Sequence, residues 1–250
     1  MLSVTPYGDT TRQPPLLIAH GLFGSARNWN VLAKRLSDNR QVYVVDMRNH
    51  GDSPREDTQS YADMAGDLAK ILEGPYDLLG HSMGGKAAMV LALSQPESLR
   101  RLIVADIAPV TYTHTQLHLI DAMRAVNLDI VEKRSDADLQ LRKTVTNYGI
   151  RAFLLQSLDV KTKSWKLNLD VLEAEMHKII GFPDVKGHFE GSTLFLSGAN
   201  SDYVLPEHRT KIKTLFPKAH FAKIPDAGHW LHAEKPRDFE ASLRVFLDAS

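Results

Sequence analysis

Between residues 16 and 105 short runs that are apolar throughout, or nearly so, alternate with stretches whose apolar residues recur at helical spacing. Leu16-Leu17-Ile18-Ala19, Val42-Tyr43-Val44-Val45, Tyr76-Asp77-Leu78-Leu79 and Leu102-Ile103-Val104-Ala105 are the runs. Residues 29–36, 61–72 and 83–93 carry the helical spacing. A strand with one face in water alternates apolar and polar residues, so these runs belong to strands buried on both faces. The alternation therefore predicts a mostly parallel α/β sheet with helices on both faces. From 111 to 190 the rhythm changes: no stretch reads as a strand, and the patterns at 117–126, 136–146, 150–158 and 169–180 all read as helices. Residues 193–196 resume the strand pattern, followed by a helix at 206–216, a strand at 220–224 and a closing helix at 236–247. The expected organisation is a core of residues 1–110 and 191–250, interrupted by a helical insert of residues 111–190. Open α/β sheets bind ligands at the carboxyl ends of their strands. An insert placed after the strand ending at Asp106 is therefore expected to cap a site; an additional packed layer is the plainer alternative.

At 250 residues the chain can bury one large core. Thirty basic and 30 acidic residues balance, without the basic excess that a polyanionic partner calls for, so no nucleic acid is expected. The absence of cysteine excludes disulfides, thiolate catalysis and cysteine zinc sites. No basic segment followed by a long apolar stretch opens the sequence, and no run reaches the ~20 residues that span a bilayer. A cytoplasmic protein without a membrane span is the expectation.

Gly80-His81-Ser82-Met83-Gly84 lies between a predicted strand and a predicted helix. This is G-x-S-x-G in the context that gives it meaning: a strained turn that lifts a serine hydroxyl out of the sheet at a helix N-terminus. Acyl transfer also needs two backbone N–H groups aimed at the developing oxyanion. Met83, directly after the serine, is one candidate. The loop His20-Gly21-Leu22-Phe23-Gly24 supplies the other, Leu22 first and Phe23 as the fallback. The general base must lie within hydrogen-bond reach of the serine, and among 11 histidines position selects His229, just past the last strand, with His232 as its rival. His20 and His81 belong to the loop and the elbow and are expected to shape the site rather than titrate in it. His114 and His118 share a helical face, but no third ligand accompanies them, so no metal is expected.

The order of Ser82 and His229 in these contexts is that of the α/β-hydrolase superfamily. Narrower stretches, HGLFGSARNW, VDMRNHGDSP, GHSMGGKA, ADIAPV, WKLNL, SGANSDYV and AGHWLHAEKP, resemble the YbfF-type esterases nearly end to end, least so in the insert. The resemblance implies a serine hydrolase with a helical cap, acting on carboxylic esters or acyl thioesters such as acyl-CoA-like substrates, without metal or organic cofactor.

The imidazole needs a carboxylate to fix its tautomer. Asp46 opens the DMRNHG loop and is better placed to anchor that turn. Asp226 is too near His229 in sequence to reach the ring easily. Asp202 stands one residue from the usual position, where a single step along a turn reverses a side chain's direction. Asp106 ends the strand after the nucleophile helix and faces the same sheet edge as Ser82. It is the first choice and Asp202 the second. The resemblance points the same way and implies that Ser201 completes a tetrad as a neutral hydrogen-bond partner. Phe23, His81, Phe153, Trp165 and Trp230 are the residues expected to face substrate, the aromatic residues of the insert serving equally well as packing. Small to medium acyl esters are the expected substrates. C–C bond hydrolysis, cofactor-free lyase chemistry and a non-catalytic ligand-binding role on the same scaffold remain the alternatives; a dehalogenase would carry an aspartate in place of Ser82.

Overall fold

The computed structural model of the chain describes residues 1–71 and 73–249; Leu72, the last residue of the helical pattern read at 61–72, lies outside the described residues. Seven strands form the central sheet: β1 (Val4–Tyr7), β2 (Leu16–Ala19), β3 (Val42–Val45), β4 (Tyr76–His81), β5 (Leu99–Ala105), β8 (Ser192–Gly198) and β9 (Ala219–Ile224), with a two-stranded ladder, β6 (Leu158–Asp159) and β7 (Ser164–Trp165), in the insert. The sheet order is β1-β3-β2-β4-β5-β8-β9, parallel except for β1, which runs antiparallel to β3. Parallel registry sets Ala19 beside Gly80, His81 beside Ala105, and Ala105 beside Leu196. The residues that follow each of these strands therefore emerge on one edge of the sheet.

The uniform apolarity of the strands has the expected cause. Leu17, Ala19, Leu78, Leu102, Val104 and Phe195 point to one face, where α2 (Tyr61–Ala69) and α3 (Met83–Ser94) pack. Their neighbours Leu16, Ile18, Leu79, Ile103, Leu194 and Leu196 point to the other, against α1 (Asn30–Leu36) and α11 (Pro236–Asp248). Every residue of α3 from Met83 to Leu93 is buried, a helix enclosed on all sides. The insert contributes α4 (Leu117–Arg124), α5 (Arg134–Leu141), α6 (Tyr148–Leu154), α7 (Leu169–Ala174) and α8 (Met176–Ile180). Its buried residues, Leu119, Met123, Leu154 and Leu172 among them, join the cluster that covers the α2 and α3 face. Helices α9 (His208–Leu215) and α10 (Leu231–Glu234) complete the chain.

Three features depart from the sequence reading. β1 was not expected; it contains Pro6, which an edge strand tolerates because the missing N–H faces away from a ladder. The insert holds the short β6–β7 ladder. The single helical pattern at 169–180 is broken at Glu175, whose carboxylate accepts from the Gln59 amide (3.3 Å) and from Lys178 (2.7 Å).

Asp77, the one charged residue of β4, meets Arg40 (3.1 Å) and Arg100 (2.5 Å), with Asp77 and Arg40 almost wholly buried. Removing one member of a buried ion pair strands the other charge. Asp77→Ala is expected to destabilise the fold by about 3–5 kcal/mol, read as a lower urea midpoint with an unchanged m-value.

Candidate active site

Ser82 occupies the turn between β4 and α3 with φ 52° and ψ −118°, left-handed backbone that a residue with a Cβ adopts only under constraint. The constraint is visible. The Ser82 amide donates to the Ala105 carbonyl (3.1 Å), and the helix presses so closely on β2 that a Cβ on Gly84 would lie 2.5 Å from the Ala19 and His20 carbonyl oxygens. Only glycine allows that approach, and with it the hydroxyl stands clear of the sheet.

His229 reaches Ser82 from beyond β9: its Nε2 lies 3.2 Å from Ser82 Oγ. On the other side of the ring Nδ1–H donates to Asp106 Oδ2 (2.8 Å). A carboxylate can only accept, so the proton is on Nδ1 and the Nε2 lone pair faces the serine. Asp106 is fully buried and itself sits at φ 51°. It also accepts the Gly198 amide at Oδ1 (3.0 Å) and the Ser201 hydroxyl at Oδ2 (2.5 Å). The ring of Tyr203 stacks on the imidazole, centroids 4.0 Å apart and 19° from parallel. Of the rival aspartates, Asp202 is exposed on the turn after β8, and Asp226 is exposed and faces Lys235 (3.7 Å). Asp46 accepts from the Ala26 and Asp52 amides (2.7 and 2.9 Å) and holds its own loop. His232, the rival histidine, stacks on Trp29 at 4.3 Å rather than meeting Ser82.

Two histidines clasp the loops beside the serine. His20 donates from Nδ1 to the Gly21 carbonyl (2.8 Å) and accepts the Met47 amide at Nε2 (2.9 Å). His50 donates from Nδ1 to the Arg48 carbonyl (2.8 Å) and accepts the Phe23 amide at Nε2 (3.2 Å). Each loop thus offers a ring to the other's backbone. The second bond corrects the sequence reading of Phe23 as a fallback oxyanion donor, because its N–H is already committed. The Gly24 amide is committed to the Gly21 carbonyl (3.0 Å). The Leu22 amide has no acceptor among the described residues, and Met83, first in α3, has no intrahelical one.

A cavity of about 220 Å³ opens over Ser82. Phe23, His81, Phe153 and Trp230 line it, with Ile107, Leu119, Ile150 and Ile179 supplying a mostly aliphatic wall. Trp165 does not line it: the indole is buried within the insert and donates to the Met123 carbonyl (3.0 Å). This overturns the reading of Trp165 as a substrate contact. Tyr203, Tyr112 and Lys86 are among the lining residues that went unread in the sequence. Tyr112 accepts the Ala108 amide (2.9 Å) and donates to the Tyr203 carbonyl (2.7 Å). A signal for Lys86 was available, as it is the one charged residue in the otherwise apolar stretch 83–93.

Residues 16–242 match the model of the alpha/beta hydrolase family, and the chain belongs to that family. Several of its relatives are named as esterases or lipases. The mouse (Mus musculus) protein named sn-1-specific diacylglycerol lipase ABHD11 is 46% identical over 96% of this chain and 82% of its own. Esterase YbfF of Escherichia coli is 36% identical over 94% of this chain and 93% of its own. A solved structure, described as a marine microorganism esterase, superposes with a TM-score of 0.93 at 36% identity, covering 98% of both chains. No helix among the described residues is long and apolar enough to cross a membrane.

Burial keeps four histidines around the site neutral: His20 is pushed down to about 4, His50 and His232 to about 3, and His81 well below the ordinary 6.5. In the unfolded chain these rings take up protons near 6.5. Below that pH the unfolded state binds more protons, so stability falls as pH drops from 6.5 toward the folded values. Thermal unfolding followed by circular dichroism should give a Tm that declines between about pH 7 and pH 5, above most carboxylate titration. These histidines leave Tm unaffected above about pH 7.5.

Proposed function

We propose that the chain is a serine esterase that cleaves small to medium acyl esters through an acyl-enzyme, with acyl thioesters as a second substrate class. The observation that carries this reading is the continuous hydrogen-bond chain Ser82–His229–Asp106, at 3.2 and 2.8 Å, at the floor of an apolar cavity. In this mechanism Ser82 Oγ attacks the ester carbonyl carbon while its proton passes to His229 Nε2. The negative charge moves to the carbonyl oxygen, where the Leu22 and Met83 amides donate to it. Asp106 stabilises the imidazolium, which then protonates the departing alkoxide. Water, deprotonated by the same ring, releases the acid and restores Ser82. Ser201 keeps the Asp106 carboxylate turned toward the ring. Residues 111–190 act as the cap, and Phe23, His81, Phe153 and Trp230 shape the substrate's path.

Chain-length preference follows from volume. The cavity falls below the ~300 Å³ at which pockets for drug-sized ligands begin, which favours short and medium acyl groups. Esterase and lipase relatives support the ester as the scissile bond.

A fluorophosphonate probe should label the wild-type protein and leave Ser82→Ala unlabelled; an adduct that survives that substitution would sink the assignment. With p-nitrophenyl butyrate, Asp106→Asn should lower kcat by ~10³–10⁴-fold, because the amide supports the wrong imidazole tautomer. Asp202→Asn should leave kcat within about threefold, as expected for a surface group away from the reacting atoms. Parallel rates on acyl-CoA thioesters decide between the two substrate classes.

A further inference from the structure

Lys86 is a buried cation for which the mechanism above has no use. It lies one helical turn beyond Ser82 on α3 and is 1% exposed. Among the described residues no carboxylate pairs with it. Its ammonium donates instead to the carbonyls of Ile180 (2.9 Å) and Gly181 (2.5 Å) and lies 4.7 Å from the centre of the Tyr112 ring. Those carbonyls close α8, where no intrahelical donor follows and positive charge is favoured. The same segment is held twice more from outside the helix. The Tyr112 amide donates to the Ile180 carbonyl (3.0 Å), and the Tyr61 hydroxyl to that of Ile179 (2.5 Å).

An ammonium without a carboxylate is costly to bury, and burial, with Lys211 nearby, lowers the Lys86 pKa to about 7. An apolar side chain of similar length would fill the space without that cost. What the ammonium adds is direction: it fixes two particular carbonyls, and with them the end of α8, against the nucleophile helix. Ile179 and Ile180 form part of the cavity wall together with Ile107 and Leu119. The place where α8 ends therefore governs how much room the chamber offers beside Ser82.

We infer that Lys86 is a positioning residue that limits the length of the acyl chain, by pinning the α8 end of the insert across the chamber. The inference rests on the esterase reading. It is tested with Lys86→Met and with Tyr61→Phe, a nearly isosteric change that loosens the same segment should the first variant fail to fold. Rates are measured on the p-nitrophenyl esters of acetate, butyrate, octanoate and laurate. Binding of the matching free fatty acids to Ser82→Ala forms is followed in parallel by calorimetry.

The laurate-to-butyrate ratio of kcat/KM should rise about tenfold or more in Lys86→Met, the order expected when a pocket admits further methylenes. The gain should appear in KM, accompanied by tighter laurate binding, and Tyr61→Phe should move the ratio the same way by less. A ratio unchanged in both variants, or a loss shared equally by all esters, overturns the inference. Absence of turnover in the wild-type protein would refute the esterase reading instead, and the fatty-acid series would still decide the role of Lys86.

Discussion

A single buried carboxylate, that of Asp106, organises the candidate site. It is fully buried and, among the described residues, no lysine or arginine pairs with it, so hydrogen-bond donors must replace water. Three arrive from three segments: the Gly198 amide at the end of β8, the Ser201 hydroxyl in the loop after it, and the His229 imidazole beyond β9. Each donor is fixed by the bond it makes, and the loops that carry them are fixed in turn. Gly198 shows how close the segments run, since a Cβ there would strike the Ala227 and Gly228 carbonyls just before His229. The positive φ of Asp106 and of Ser82 is held by this same packing.

Around that centre the site is built from rings that must stay uncharged. His20 and His50 each donate from one nitrogen and accept at the other, which an imidazolium cannot do. His81 donates to the His229 carbonyl (2.9 Å) and so steadies the backbone that carries the imidazole facing Ser82. The insert is bound into the same arrangement. Ser157 donates to the Phe23 carbonyl (2.9 Å), Asn168 to that of Asn49 (2.9 Å), and Lys86 to the end of α8. Chamber, the loop after β2 and the imidazole are thus one hydrogen-bonded unit sharing one apolar cluster.

Much of this was legible in the residues themselves. The doubly buried strands and the glycine-flanked turn that carries Ser82 match the structure's geometry, because each depends on residue types in a fixed local context. What escaped has physical reasons. β1 is short and carries a proline, and its strand character comes from pairing with β3. Nothing in the sequence around Trp165 says which way an indole turns within a helical layer, and the Met123 carbonyl decides it. The Phe23 amide read as free until His50, 27 residues later, was found to take it. Tyr203 stands within the SGANSDYV stretch, but its stacking on His229 arises only when β8 and β9 lie side by side.

The sequence by itself determined the doubly covered parallel sheet, the helical insert and the serine on its turn, since these follow from periodicity and from glycines a few residues apart. Only the tertiary structure decided which carboxylate, which amide and which aromatic rings face one another. Asp106 lies 95 residues from Ser201 and 123 from His229. Their meeting follows from the order β5-β8-β9 within the sheet, and strand order is set by the packing of the whole core rather than by any stretch of chain.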